Sequence, residues 1–74
     1  MPGLRVRVDQ SISGNPSVTV GNATKYGTDV TFAVDPGKYD VSAEETYPDG
    51  KLKGSDTITV GSTDAELRIT LKDH

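Results

Sequence analysis

Hydrophobic residues recur at every second position in six short segments of the chain. In the first of them, Leu4, Val6 and Val8 are separated by Arg5 and Arg7. The segments with this alternation are 4–8, 18–20, 30–34, 39–43, 57–60 and 67–71. A period of two places alternate side chains on opposite faces of a β-strand, and no segment has the i, i+3, i+4, i+7 spacing of an amphipathic helix. The pattern predicts six antiparallel strands, each with an apolar inner face and a polar outer face.

Glycine and proline mark the connections between these segments. Residues 35–38, Asp-Pro-Gly-Lys, are typical of a type II turn and predict a tight hairpin between the third and fourth strands. Residues 47–50, Tyr-Pro-Asp-Gly, predict a type I turn followed by a bulge glycine. Gly54 interrupts a strand-like stretch, which indicates a β-bulge or a bend between sheets. We therefore expect a small antiparallel β-sandwich of six to seven strands, forming one domain over residues 1–74 with its core strands within 4–72.

Composition supports the all-β prediction and disfavours several functions. Of the 74 residues, 20 are the β-branched Thr, Val or Ile, which favour strands. There is no cysteine, and therefore no disulfide, thiolate metal site or thiol nucleophile. Eight Lys and Arg against 11 Asp and Glu give a net charge of −3, which disfavours nucleic acid and anionic membranes as partners. No apolar run approaches the roughly 18 residues of a membrane span or resembles a signal-peptide core.

The order of the central segments is similar to that of a known group of modules. Residues 27–43 contain an apolar strand, a Pro-Gly turn and then Tyr-x-Val-x-Ala, and they are followed by Thr-Ile-Thr-Val at 57–60 and Leu-x-Ile-x-Leu at 67–71. Over residues 4–72 the chain resembles transthyretin-like (prealbumin-like) β-sandwich modules, which include carboxypeptidase regulatory-like, PEGA and collagen-adhesin B-type repeats and are immunoglobulin-like in the broad sense. The resemblance implies a non-enzymatic spacer, stalk, accessory or adhesion domain.

One chemical feature of those relatives is not expected in this chain. Some collagen-adhesin-type modules carry a Lys–Asn isopeptide bond between the first and last strands. The first strand here offers Arg5 and Arg7 instead of lysine, and the last strand contains no asparagine. The departure from the pattern predicts that no internal crosslink forms.

The residues that could support catalysis are few. His74 is the only imidazole and lies at the chain end, so we expect it to be a solvated terminal residue rather than a general base. The paired carboxylates Glu44 and Glu45 could act in general acid catalysis only if one were buried with a raised pKa. In so thin a domain we expect nearly every carboxylate to be solvated. The prediction is that the protein is not an enzyme.

Three aspartates in or near turns are the candidate metal ligands. Asp49, Asp56 and Asp64 lack the Asp-x-Asp-x-Asp spacing of a calcium loop, and aspartate favours turns because it bonds its own backbone. Asp49 and Asp56 are also a second pair of carboxylates that could serve acid–base chemistry. We expect no metal and no cofactor.

Two tyrosines and four basic residues are the candidate partner contacts. Tyr39 alternates in register with the apolar residues of its strand and is predicted to pack inside. Tyr26 and Tyr47 fall in loops or at strand ends. Each of these two could anchor a partner or stack on a sugar, or could instead cover an end of the sandwich. The four basic residues lie on the outer faces of the first and last predicted strands: Arg5, Arg7, Arg68 and Lys72. If those strands are neighbours, they form a basic stripe, and otherwise they are ordinary solvated charges.

These observations lead to three hypotheses about function. The first is a structural or interaction module displayed on an assembly surface, similar to the small decoration proteins of bacteriophage heads and located on the virion surface. The second is a spacer or adhesion domain excised from a larger secreted protein, which would be extracellular or on the cell surface. The third is a small carbohydrate-binding module. Because small domains without staples are marginally stable, docking on a partner or weak homo-oligomerisation is also expected.

Overall fold

Two stacked β-sheets make up the structure, a computed structural model that describes residues 1–73. The all-β sandwich prediction is confirmed. The eight strands are β1 (Gly3–Asp9), β2 (Ser17–Val20), β3 (Ala23–Tyr26), β4 (Asp29–Ala33), β5 (Gly37–Tyr47), β6 (Gly50–Val60), β7 (Ala65–Thr70) and β8 (Lys72–Asp73). Within residues 1–73 no helix is long and apolar enough to cross a membrane.

Sheet A has the strand order β4-β1-β7, and sheet B has the order β3-β2-β5-β6-β8. Most neighbours are antiparallel, as predicted, but β1 and β7 are parallel. After β6 of sheet B, residues 61–64 cross to sheet A, where β7 runs parallel to β1. The first and last long strands are therefore neighbours, as the basic-stripe hypothesis required.

The hydrophobic core lies between the two sheets and uses the alternating residues that the sequence pattern selected. In sheet A, Leu4 and Val6 of β1 are fully buried, and in sheet B Val18 and Val41 face them. Half-buried apolar side chains pack around this centre. The buried apolar residues are Leu4, Val6, Val8, Val18, Val20, Phe32, Val41, Ala43, Val60, Ile69 and Leu71. One continuous core therefore joins both sheets.

The predicted hairpin at residues 35–38 is wrong. β4 belongs to sheet A and β5 to sheet B, so this connection crosses from one sheet to the other. Gly37 is the first residue of β5 and lacks the positive φ of a type II turn. As a result, Phe32 and Val41 enter the core from opposite sheets. The Tyr39 hydroxyl donates to the carbonyl of Asp35 at 2.6 Å and ties the crossing to β5.

The second predicted turn does form a hairpin, between β5 and β6. Tyr47 pairs with Gly50, which leaves Pro48 and Asp49 as the two-residue loop. Gly50 lacks a positive φ and pairs in register, so the predicted bulge glycine is absent at this position. The hairpin continues without a break for eleven residue pairs, from Tyr47–Gly50 to Gly37–Val60.

Gly54 lies inside this unbroken register opposite Ala43, so it is neither a bulge nor a bend between sheets. It is instead a point of close approach between the sheets. A Cβ atom built on Gly54 would lie 2.6 Å from Ile69 Cγ2 and 2.7 Å from the backbone carbonyl oxygen of Thr70. Only glycine leaves room for β7 to pass β6 at this distance.

Hydrophobic alternation missed β3, β8 and the first half of β6. The side chains of β3 are all exposed, and residues 50–56 are largely polar on both faces. β3 pairs with β2 and the first half of β6 pairs with β5, strands whose own residues are anchored in the core, and β8 in turn pairs with β6. Backbone pairing with a buried neighbour thus extends the sheet where local hydrophobicity gives no signal.

Candidate functional site

A buried glutamate holds the loop between β1 and β2 at one end of the sandwich. Glu45 of β5 is only 5% exposed, although the sequence indicated that nearly all carboxylates would be solvated. Its Oε1 accepts hydrogen bonds from the hydroxyls of Ser11 and Ser13, the latter at 2.7 Å. Its Oε2 accepts the Tyr47 hydroxyl and the Ile12 backbone N–H, the latter at 3.1 Å. Three of these four donors come from the loop, and the fourth comes from Tyr47 of the same strand.

These four donors set the charge state of Glu45. Burial by itself raises the pKa of the carboxyl, but the hydrogen bonds from Ser11, Tyr47, Ser13 and the Ile12 N–H outweigh it and lower the pKa to about 2. The same contact raises the pKa of the Tyr47 hydroxyl, chiefly through its hydrogen bond to Glu45. A general acid needs a raised pKa, so the arrangement at Glu45 is opposite to the one that acid catalysis requires.

The two serines also fix the loop backbone. Ser11 Oγ accepts the Gly14 N–H at 2.9 Å, and Ser13 Oγ accepts the Asn15 N–H at 3.0 Å. Each hydroxyl therefore connects the carboxylate to a backbone amide farther along the loop. At the far end of the loop Pro16 is fully buried, and its carbonyl accepts the N–H of Gly27. The loop is consequently held at both ends and along its length.

Next to this loop lies a cleft of about 270 Å3, which we take as the candidate site. Tyr26 and Tyr47, the two tyrosines singled out from the sequence, both line it. Its lining residues are Ser13, Asn15, Ser17, Tyr26, Glu44, Glu45, Thr46 and Tyr47. Tyr26 reaches the cleft because β3 and β2 pair Tyr26 with Ser17, and β2 and β5 pair Ser17 with Glu44. Sheet register thus assembles residues that are distant in sequence.

The two tyrosines have different roles in the structure. Tyr47 is half-buried and its hydroxyl is bound to Glu45, so it covers the end of the sandwich. Tyr26 is 66% exposed and presents its ring outward. Ile12, on the loop beside Ser13, is 75% exposed. Tyr39 is half-buried against the core, in agreement with its predicted inward position.

A larger, shallow depression of about 660 Å3 lies farther along the sandwich over β2, β5 and β6. Its lining includes Thr19, Ser42 and Thr57 on the outer face of sheet B. Most of the residues that line this depression belong to strands, and the hydrogen-bonded loop beside the cleft does not contribute to it. The exposed ring of Tyr26, which lines the cleft, does not contribute to this depression. We therefore assign the cleft as the candidate site.

The predicted basic stripe does not form. Register brings Arg7 beside Arg68 on β1 and β7, but Lys72 lies on β8 of the other sheet, where it pairs with Lys53. The chain changes sheets at Leu71, whose N–H donates to the carbonyl of Asp9 at 3.0 Å and whose side chain enters the core. Lys72 therefore does not share the face of sheet A that carries Arg5 and Arg7, although it lines one depression together with Arg68.

The three arginines of sheet A are interleaved with carboxylates. Arg5 forms a two-pronged contact with Asp29, at 2.8 and 2.6 Å, and lies 3.6 Å from Glu66. Arg68 lies 3.3 Å from Asp9. The hydrogen bonds from Arg5 lower the pKa of the Asp29 carboxyl. This face is a mixed-charge ladder, and ladders of this kind keep a sheet face soluble without attracting a partner of one charge.

The carboxylate pairs considered for catalysis are kept apart. Glu44 and Glu45 are consecutive in β5 and therefore point to opposite faces, and Glu44 lies 3.6 Å from Lys53. Asp49 is in the hairpin loop and Asp56 is in the middle of β6, about 20 Å away along the strand. Among residues 1–73 no group of three or more potential ligands could hold a metal ion. His74 lies outside the described residues.

Sequence reasoning named Glu45 only as one of a pair of carboxylates expected to be solvated, and it overlooked Ser11, Ser13 and Ile12. One signal was available in the sequence. Glu45 is two and four residues after Ala43 and Val41, so the alternation of the strand places its carboxylate on the same, buried face. Two serines in a turn region are suitable donors for such a group. Their distance of more than 30 positions from Glu45 concealed the association.

Comparison with known proteins identifies no relative: no family model, no curated protein and no solved structure matches the chain.

Proposed function

We propose that the chain is a non-enzymatic interaction module that docks on a protein assembly through the cleft end of the sandwich. Support comes from one observation in particular, the exposure of Ile12 and Tyr26 beside a loop fixed by Glu45. Exposed apolar and aromatic side chains are typical anchors of protein interfaces, and an ordered backbone beneath them lowers the entropy lost on binding. The proposed contact surface consists of Ile12, Tyr26 and the rim of the cleft.

The shape of the molecule supports docking by one end. Its principal extents are 41 × 19 × 17 Å, and the β5–β6 hairpin of eleven pairs accounts for most of its length. The cleft contains Tyr47, the last residue of β5, and therefore lies toward the hairpin loop. A domain bound through this end stands away from its partner. Such a geometry would suit a decoration protein or a spacer.

Within this class we propose a small decoration protein of a bacteriophage head as the first assignment. The mixed charges on sheet A and the hydroxyl-rich outer face of sheet B suit surfaces that remain in water after docking. The alternative is a spacer or adhesion domain in a larger surface protein, with the same end against a neighbouring domain. The genes beside this reading frame distinguish the two, because a decoration protein is expected near a major capsid protein.

Tyr26→Ala is expected to weaken docking about 10-fold or more while leaving folding unchanged, since the ring is exposed and central to the proposed contact. The measurement is co-sedimentation with empty capsids assembled from the major capsid protein encoded beside this reading frame. The unmodified chain should saturate these capsids at a fixed ratio to the capsid subunit.

Thr24→Ala is the matched control, because Thr24 lies two residues away on the same face of β3 and is also exposed. It should bind as the unmodified chain does. Absence of co-sedimentation, or equal losses in both variants, would contradict the assignment, and so would a gene neighbourhood without a capsid protein.

A second candidate function, carbohydrate binding, is favoured by the polar lining of the same cleft. Asn15 and Thr46 offer an amide and a hydroxyl group beside the exposed ring of Tyr26. Aromatic rings stack on sugar faces, and fixed polar groups bond sugar hydroxyls. Titration with neutral polysaccharides should then change tyrosine fluorescence, and Tyr26→Ala should abolish the change. No change across a panel of polysaccharides removes this candidate.

A further inference from the structure

β4 is an edge strand of sheet A, so no strand of this chain pairs with its outer backbone groups. The Val8 N–H donates to the carbonyl of Thr28, and the Val34 N–H donates to that of Pro2. Even-numbered residues of this segment thus bond to the β1 side. Thr31, between them, directs its carbonyl and N–H away from β1. Exposed groups of this kind are a template for an added strand.

The side chain of Lys25 reaches this edge from the other sheet. Register pairs Lys25 with the buried Val18, so Lys25 is on the side of β3 that faces sheet A, although it is exposed at the sheet edge. Its ammonium group donates to the carbonyl of Thr31. It also lies 5.3 Å from the centroid of the Phe32 ring, a cation–π distance. Two independent contacts therefore hold the charge against β4.

We propose that Lys25 is a guard residue that prevents a second copy of this chain from pairing with β4. A strand added there needs the Thr31 carbonyl as an acceptor, and the Lys25 ammonium already occupies it. The added strand would also have to remove that charge from its two contacts. An inward-pointing lysine at a sheet edge is a known means of blocking such pairing.

The second copy is the occupant to test because β4 is complementary to itself. In an antiparallel pair centred on Thr31, Asp29 of one copy lies opposite Ala33 of the other, so no like charges meet. The arrangement has two-fold symmetry and closes at a dimer. Without the Lys25 ammonium group, the β4 strands of two copies can form backbone hydrogen bonds with each other. The chain should then form dimers of its 7.8 kDa unit.

The test replaces Lys25 with Met, which keeps the length of the side chain, and separately with Thr, which favours strands but is too short to reach Thr31. Sedimentation velocity should show a monomer for the unmodified chain and a doubled mass for both variants. In those dimers the backbone amides of Thr31 and Ala33 should exchange with solvent at least 10-fold more slowly than in the unmodified monomer.

Lys38→Met and Lys38→Thr are the matched controls, because they remove the same charge from an exposed lysine of β5. Both should remain monomeric. Adding Thr31→Pro to either Lys25 variant removes an outward N–H without breaking a bond to β1, and it should restore the monomer. Circular dichroism confirms that each variant is folded. A folded monomeric Lys25→Thr, or dimers that persist with Thr31→Pro, would overturn the proposal.

Discussion

Gly54→Ala is expected to lower the free energy of unfolding by about 1–3 kcal/mol, the usual cost of forcing atoms into a filled interior. The new Cβ would lie 2.6 Å from Ile69 Cγ2 and 2.7 Å from the carbonyl oxygen of Thr70. Rotation of Ile69 can relieve the first contact, but the second is with backbone, so β7 itself has to move. A domain of this size holds about 4–11 kcal/mol in total. The variant therefore loses a substantial part of its stability.

Urea and thermal unfolding measure this effect, and each kcal/mol corresponds to roughly 4–8 °C in Tm. Gly50→Ala is the matched control, because Gly50 belongs to the same strand and a Cβ atom added there would have open space for 4 Å around it. Alanine there should leave stability unchanged or raise it slightly, since it restricts the unfolded chain. Equal stability of the two variants would show that β6 and β7 are not in close contact at Gly54.

Glu45→Gln is expected to lower the free energy of unfolding at neutral pH by about 1.5–3 kcal/mol, the typical value of hydrogen bonds to a charged group. The carboxylate accepts from four donors, and an amide oxygen cannot accept from all of them. In one orientation the amide N–H groups of glutamine would meet the Ile12 N–H, and in the other they would meet Ser11 and Ser13, whose hydroxyls would then have to stop donating to residue 45. Chemical unfolding at pH 7 measures the difference.

The same residue predicts a specific dependence of stability on pH. The pKa of Glu45 is about 2 in the folded chain against the ordinary 4.5, so its contribution to stability is complete above pH 4.5 and is lost as pH falls toward 2. In that interval the unfolded chain takes up the proton first. The difference in unfolding free energy between the unmodified chain and Glu45→Gln should therefore shrink as pH falls through this interval.

Glu44→Gln is the matched control for both measurements, because the neighbouring carboxylate lies on the opposite face beside Lys53. It should change stability little and should keep the pH dependence that Glu45 causes. If the unfolding free energies of the unmodified chain and Glu45→Gln changed in parallel with pH, the lowered pKa of Glu45 would be contradicted. Amide exchange in residues 11–15 should also accelerate in Glu45→Gln, and a loop that stayed protected would mean that Glu45 does not hold it.

The candidate site was only partly predictable. Tyr26 and Tyr47 could be selected because aromatic residues outside the alternating pattern stand out in a chain with four aromatic side chains. Their meeting in one cleft depends on the registers of β3 with β2 and of β2 with β5, which alternation does not encode. The basic stripe was wrong for a related reason. The adjacency of β1 and β7 was anticipated, but the switch of Lys72 to sheet B and the interleaved acids were not.

The sequence by itself determined the fold class and the core, since a period of two leaves an apolar face that has to be covered. It did not determine which strands share a sheet, because a local pattern is the same in a hairpin and in a crossing between sheets. Residues 35–38 illustrate this limit. Only the tertiary structure decided the burial of Glu45, the need for glycine at position 54 and the contact of Lys25 with β4. Each of these depends on a partner distant along the chain, which only the packing of the two sheets brings close.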